Sequence, residues 1–238
     1  MSRYRGPRRR VIRKLGNLPG LTTKQVDIYD SRVKTPGQHG QTIRRFLKHQ
    51  SSYGLRLIEK QKLRFNYHLT EKQLVRYVNN AKKSKQATGD ALLTLLELRL
   101  DNVIYRLGMA PTILAARQLV THGHILVNKK KVNIPSYACT PKDKITVQAG
   151  SQKLIRKNLK IRCEILAQRK PITQAKKFFS RKSKKSLKNK TKQIKWRPPR
   201  HLELNRKNLI GLVKRKATRN SLQFQINELL VIEYYSQK

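Results

Sequence analysis

The stretch RLDNVIYRLGMAPTILAARQLVTHGHILVN, Arg99–Asn128, decides the fold. It holds three arginines, one aspartate and no lysine, inside a chain of 238 residues with a formal net charge of +44. After Pro111, Thr112 offers an N-cap to a helix through ILAARQLV, and Gly123 supplies its C-terminal stop. Ala115 stands where a capping box needs Glu or Gln, so only half of that device is present. The following HILVNKKKVNI alternates like a strand, turns on its basic residues and meets a second strand near KITVQ. The window therefore reads as two short helices packed on a small hairpin, a core that needs few charges. Its polar exceptions, Arg99, Asp101, Asn102, Arg106, Arg117 and Gln118, are expected to project from this platform, with Asn128 and Lys129 to Lys131 on the hairpin turn. A second, compatible reading pairs Asp101 with Arg106 across the helix.

Outward from the window, charge takes over. The chain has 56 Lys or Arg against 12 Asp or Glu, and self-repulsion on that scale calls for a polyanionic partner. Nucleic acid fits, and a pI near 11.1 is its footprint. No apolar run has the roughly 18 residues of a membrane span. A membrane surface is a poor partner too, because the basic runs lack an apolar face. Hydrophobic residues are 37% of the chain, enough for one or two small cores but not for burying every segment, so extended segments ordered by the partner are expected.

Upstream, residues 1–40 alternate basic clusters with Gly and Pro and read as loop and extended arm. MSRYRGPRRRVIRK is acid-free, as organelle presequences often are, but has little Ser and no amphipathic stripe; a mature basic arm is the better reading. Phe46, Leu47, Leu57, Ile58 and Leu63 suggest a helix within Thr42–Asn66, weakened at Gly54. Thr70 caps a second helix over Glu71–Lys85, and Thr88-Gly89-Asp90 punctuates the chain before the apolar ALLTLLELRL. Downstream, LIRKNLKIRCEILAQ (residues 154–168) is helical. From Lys170 to Arg200 there are 13 Lys or Arg and no acid, which reads as disordered or RNA-ordered. The tail INELLVIEYY should pack.

No catalytic or metal constellation emerges. His122 and His124 form an H-x-H pair, but Cys139 lies fifteen residues further and no fourth ligand completes a zinc site. Glu97 and Asp101, four apart on one predicted helix, are no acid–base pair facing a cleft. There is no phosphate loop, dinucleotide fingerprint or nucleophile elbow. Cys139 and Cys163 give no disulfide framework. The expectation is a non-enzyme without cofactor.

Taken with its flanks, the sequence resembles the universal small-subunit ribosomal protein four family. MSRYRGPRRRVIRKLGNLPGLT resembles the family's start, YGLRLIEKQKLRFNYHLTEKQLVRYV its helical domain, LELRLDNVIYRLG with ARQLVTHGHILVN its RNA-binding module, and INELLVIEYY its closing strand and tail. PGLTTK, KLRFNYHLTEKQL and INELLVIEYY look most like plastid and cyanobacterial members.

The resemblance implies an α+β fold: a helical domain with an inserted RNA-binding module of two short helices on a small β-hairpin or sheet, plus extended basic arms. The segments would be a basic arm (1–40), the helical domain (41–96), the module (97–160), a helix and Lys-rich extension (161–200), and a closing segment packing back on the helical domain (201–238).

It also implies binding to small-subunit rRNA at a multi-helix junction of the 5′ domain, with nucleation of assembly. Neighbouring small-subunit proteins and mRNA at the channel where it enters would be partners, with an influence on accuracy and no membrane. Plastid stroma, or else cyanobacterial cytoplasm, would be the location.

Carried onto this sequence, the rRNA contacts would be Arg3, Arg5, Arg8, Arg9 and Arg10 on the arm. The helical domain would give Arg44, Arg45, Tyr53, Lys60, Lys62 and Arg64. The module would give Arg99, Asn102, Arg106, Arg117, Gln118, His122, Lys129 and Lys131, with Arg106 and Arg117 serving RNA more than stability. Some members of the family hold zinc with N-terminal cysteines; here the first cysteine is Cys139, so RNA would have to order the arm. The module also occurs in pseudouridine synthases and a tyrosyl-tRNA synthetase tail, and RLD at Arg99–Asp101 is similar to the catalytic Asp motif of the synthases, yet no stretch remains for a catalytic domain. A free-standing RNA chaperone would be little more than the module, and a histone-like DNA binder would lack it.

Overall fold

A computed structural model describes residues 4–23, 51–168 and 197–236. Among these lie eight α-helices and one five-stranded antiparallel sheet. Arg3, Arg44, Arg45 and the lysine run between Phe178 and Trp196 lie outside the described residues.

Helix α1 spans Arg8–Leu15, α2 Ser52–Asn66, α3 Glu71–Lys82 and α4 Thr88–Glu97. The short α5 (Leu100–Arg106) and α6 (Ile113–Thr121) lead into β1 (Ile125–Val127), β2 (Lys130–Lys131) and β3 (Lys144–Val147). Helix α7 (Gln152–Gln168), strands β4 (Leu202–Asn205) and β5 (Ile210–Val213), and helix α8 (Glu228–Ser236) complete the described order.

Local chemistry sets most boundaries. Ser51 caps α2 by accepting from the Gly54 N–H at 3.2 Å, so Gly54 opens the helix and does not break it. Thr70 and Gln73 form a reciprocal capping box on α3. Thr112 caps α6 through the Ala115 N–H at 3.2 Å. After α6 the Gly123 N–H donates to Val120 O at 2.9 Å and the His124 N–H to Leu119 O at 3.0 Å, a Schellman stop with Gly123 at φ +74°. The positive φ is what calls for glycine at this position, since the nearest atoms to an added Cβ belong to the movable end of exposed Lys131. Asn128 and Lys129, both at positive φ, make the tight β1–β2 turn.

The strand order is β2-β1-β3-β5-β4, with Ile125 opposite Val147 and Leu202 opposite Val213. One main core joins α2–α6 to the sheet through Leu63, Leu74, Leu92, Leu96, Val103, Ile104, Ile125 and Ile145.

Four expectations need correction. The arm is not all loop: Val11, Ile12, Leu15, Leu18 and Leu21 build a separate small core against Ile58 and Phe65. Burial of that stripe wins over the Gly and Pro around it. Thr88-Gly89-Asp90 is the first turn of α4, not a break. INELLVIEYY carries a helix, not a strand; Glu228, Val231 and Tyr234 turn inward at helical spacing as α8 packs on α2. The β4–β5 hairpin, which the sequence reading did not place, extends the module's sheet, because Ile145 pairs with Gly211.

Candidate RNA-binding surface

The platform is locked by two buried carboxylates. Helix α5 begins against the 133–138 loop: the Leu100 N–H donates to Tyr137 O at 2.9 Å and the Asp101 N–H to Pro135 O at 3.1 Å. Those bonds satisfy the helix start without a side-chain cap. Asp101 takes Arg99 in a fork (Nε 3.1 Å, Nη2 2.8 Å) and also accepts from Arg117 Nε at 2.7 Å. Arg117 then donates to His68 O (2.7 Å) and Tyr67 O (3.0 Å), tying α6 to the C-terminal turn of α2.

Glu97 holds the second node. Arg106 donates to it through Nε at 2.9 Å and Nη2 at 2.5 Å, Asn102 Nδ2 at 2.8 Å, and the Tyr67 hydroxyl donates as well. Burial works to raise the Glu97 carboxyl, but the Arg106 charge and these donors outweigh it and hold it below the usual carboxylate range. Burial and the adjacent carboxylate push the Tyr67 hydroxyl well above its ordinary value. Glu97 and Arg106 stay ionised because each has its partners.

This corrects the expectation that the window's polar residues project. Arg99, Asn102 and Arg106 are each no more than 3% exposed, and Arg106 pairs with Glu97 rather than with Asp101. A charge taken out of water must be paired, and the nearest acids in an acid-poor chain are these two. Lys60 is buried as well, 3.1 Å from Glu71 and over the Tyr234 ring. Arg117 is half-buried, Lys62 is paired with Glu59 at 2.6 Å, and Arg64 lies over Phe65.

What does face solvent is a set of cations on rigid supports. Arg5, Arg8, Arg9 and Arg10 are exposed, the last three in the first turn of α1. Gln118 and His122 are exposed at the end of α6, and Lys129, Lys130 and Lys131 on the β1–β2 turn. Asn128 braces that turn, donating to Asp143 Oδ1 at 2.8 Å and accepting from the Lys144 N–H at 2.9 Å. Tyr53 is 55% exposed beside the Tyr234 ring.

Sequence reasoning left out a second basic stripe: Lys153, Arg156, Lys157 and Lys160 are exposed on α7 at helical spacing. Arg156 Nη2 donates to Lys207 O at 2.9 Å. The signal was visible, since residues 149–163 contain no acid. Among the described residues no group of His, Cys, Asp and Glu is placed to hold a metal ion. No described helix is long and apolar enough to cross a membrane.

Comparison with known proteins places these elements. Residues 3–97 match the family model described as ribosomal protein S4/S9 N-terminal domain, and residues 98–145 match the S4 domain. The chain is 52% identical over 238 residues to small ribosomal subunit protein uS4c of Tupiella akineta, covering 99% of each. It is 49% identical over 236 residues to uS4c of Oltmannsiellopsis viridis, covering 99% of this chain and 100% of the relative. With uS4 of Cyanothece sp. it is 49% identical over 240 residues, covering all of both.

Proposed function

Because this chain belongs to the uS4 family of small ribosomal subunit proteins, we propose that it binds rRNA early, at a multi-helix junction of the 5′ domain, and seeds assembly of the subunit there. A structural, non-enzymatic ribosomal constituent with an RNA-binding module is what the family is. The ribosome concerned is that of a plastid, or alternatively of a cyanobacterium. A position near the channel where mRNA enters, contact with a neighbouring small-subunit protein and an influence on accuracy belong to the same proposal.

One observation carries the reading. The outward cations stand on elements fixed by different means, α1 by its small apolar core on Ile58 and Phe65, α6 by the Arg117 bonds and the β1–β2 turn by Asn128, so they present a set pattern instead of a diffuse charge. Phosphate contacts position an RNA, and a rigid array of them reads its shape. Arg5, Arg8, Arg9, Arg10, Tyr53, Gln118, His122, Lys129 and Lys131 are the direct contacts in this reading, with Lys62, Arg64 and Arg117 at the margin. Lys60, Arg99, Asn102 and Arg106 act from behind, as positioning residues.

Hydroxyl-radical footprinting of the protein on an isolated 5′-domain rRNA fragment tests this. Protection confined to helices that meet at one junction, with no other protein present, is expected. Even protection along the fragment would overturn the assembly-seeding role.

A further inference from the structure

Between the C-terminal turn of α2, helix α6 and the 133–136 loop lies a cleft of about 540 Å³. That volume is within the range of small-ligand sites, roughly 300–1,000 Å³. Its lining divides by chemistry. Phe65 and Tyr4 stand edge to face, with centroids 5.2 Å apart, and leave aromatic surface on one side. Arg64, over Phe65 at 4.8 Å with its Nη1 3.6 Å from Glu71, and Arg117, already bonded to Asp101 and to the Tyr67 and His68 carbonyls, bring guanidinium N–H groups to the cleft. Glu71 is the only carboxylate in the lining among the described residues, and it is engaged by Lys60, the Tyr235 hydroxyl and, at 3.6 Å, Arg64. Asn133 and Ser136 bring an amide and a hydroxyl, both exposed and bonded to nothing among the described residues. Their loop is pinned to the start of α5 by the Tyr137 and Pro135 carbonyls, so the backbone that carries those groups is held in place.

We propose that this cleft receives one unstacked nucleotide of the bound RNA, its base against the Tyr4–Phe65 aromatic surface, its edge on Asn133 and Ser136, and its phosphate at Arg64 and Arg117. RNA is recognised by sequence chiefly through bases splayed out of the helix and stacked on aromatic or guanidinium planes, with hydrogen bonds to their edges. Stacking of this kind is worth about 1–3 kcal/mol per base. His68, in the same wall, suits a base better than a second phosphate. Burial, with Arg117 and Arg8 nearby, holds its imidazole down to about 4, against the weaker pull of Asp101, so it stays neutral. The cleft would add a point of sequence selection to a platform that otherwise reads shape. This rests on the rRNA reading proposed above.

Two variants test it in the full chain: Ser136→Trp, which fills the cleft from an exposed loop position, and Asn133→Ala, which removes an edge contact without bulk. For each, affinity is measured for the 5′-domain fragment and for an unrelated RNA of equal length, across salt, with a thermal melt to check folding. Ser136→Trp should cut the preference for the fragment about tenfold, roughly 1.4 kcal/mol, and Asn133→Ala a few-fold. Affinity for the unrelated RNA and the salt slope should not move, since phosphate contacts elsewhere are untouched. Full preference in both folded variants would overturn the nucleotide site while leaving the rRNA reading intact. A wild-type protein without preference would overturn the rRNA reading first. Adenosine or guanosine monophosphate is expected not to compete at millimolar concentration; competition that Ser136→Trp abolishes would assign the cleft to free nucleotides and overturn the RNA form.

Discussion

Replacing Arg106 with Met should destabilise the fold far more than it alters any direct contact with RNA. Arg106 is 1% exposed and carries two hydrogen bonds to Glu97, itself 1% exposed. Met keeps the packing volume and removes the charge, leaving the carboxylate with only neutral donors, Tyr67 and Asn102. Breaking a buried pair from one side costs about 3–5 kcal/mol. For a domain of this size each kcal/mol moves Tm by about 2–4 °C, so the melt should fall by about 6–20 °C.

The pH dependence gives a second handle. In the wild type, the Glu97 carboxyl is held below its unfolded value, so its stabilisation is present above about pH 4.5 and is lost as pH falls through the folded value. In Arg106→Met the main lowering influence is gone and burial dominates, so the carboxyl rises. The variant should then regain stability, relative to wild type, as pH drops from 7 toward 5. Adding Glu97→Gln should restore much of the loss at neutral pH, since both charges leave together. Thermal and urea melts by circular dichroism of the RNA-free protein measure the wild type and both variants. A loss below about 1 kcal/mol for Arg106→Met, or no recovery in the double variant, would refute a buried, charge-compensating role.

Other expectations follow from single contacts. His68, at φ 54° in the C-terminal turn of α2, has a folded value near 4 against 6.5 unfolded, so it favours the folded state fully above pH 6.5 and progressively less down to 4. His68→Asn, which tolerates the same backbone, should flatten stability against pH in that window. An unchanged slope would place the titration elsewhere. Lys129→Gly should leave the melt unchanged or raise it by relieving φ 67°, while the slope of log affinity against log salt drops by about 0.7–0.9. If the salt slope stays put, Lys129 touches no phosphate. Hydrogen exchange without RNA should protect the Gly16 amide, bonded to Ile12 O at 2.8 Å, and Leu21→Ala should abolish that protection. Rapid exchange at Gly16 in the wild type would mean that α1 needs RNA to form.

Much of the fold was legible because local signals agreed with the tertiary outcome. Thr70, Thr112 and Gly123 mark helix ends by hydrogen-bonding chemistry that needs no distant partner. The β1–β2 turn is carried by Asn128 and its basic neighbours. The β4–β5 hairpin was missed because LELNRKNLIGLV is short and its pairing partner β3 lies far away in sequence. Helix α8 was misjudged because LLVIEYY is rich in β-branched and aromatic residues, whose strand preference is overridden by packing on α2.

The inward arginines were the hardest part of the site. A basic residue in a basic chain looks like a phosphate contact. The contrary signal was the position of Glu97 and Asp101, two of only 12 acids, beside the window's arginines. Scarce carboxylates next to an apolar run mark where charges are buried. The distant bonds of Arg117 to Tyr67 O and His68 O have no sequence signature at all, because the acceptors are backbone carbonyls.

The most direct test is a titration of the whole protein against a small-subunit rRNA 5′-domain fragment and an equally long unrelated RNA, repeated from low to high salt. Counterion release weakens both, so the ratio is what counts. A preference of tenfold or more that persists as salt rises is the result expected of a rigid, shape-reading platform. Equal binding of the two RNAs at every salt would contradict it and leave only the charge.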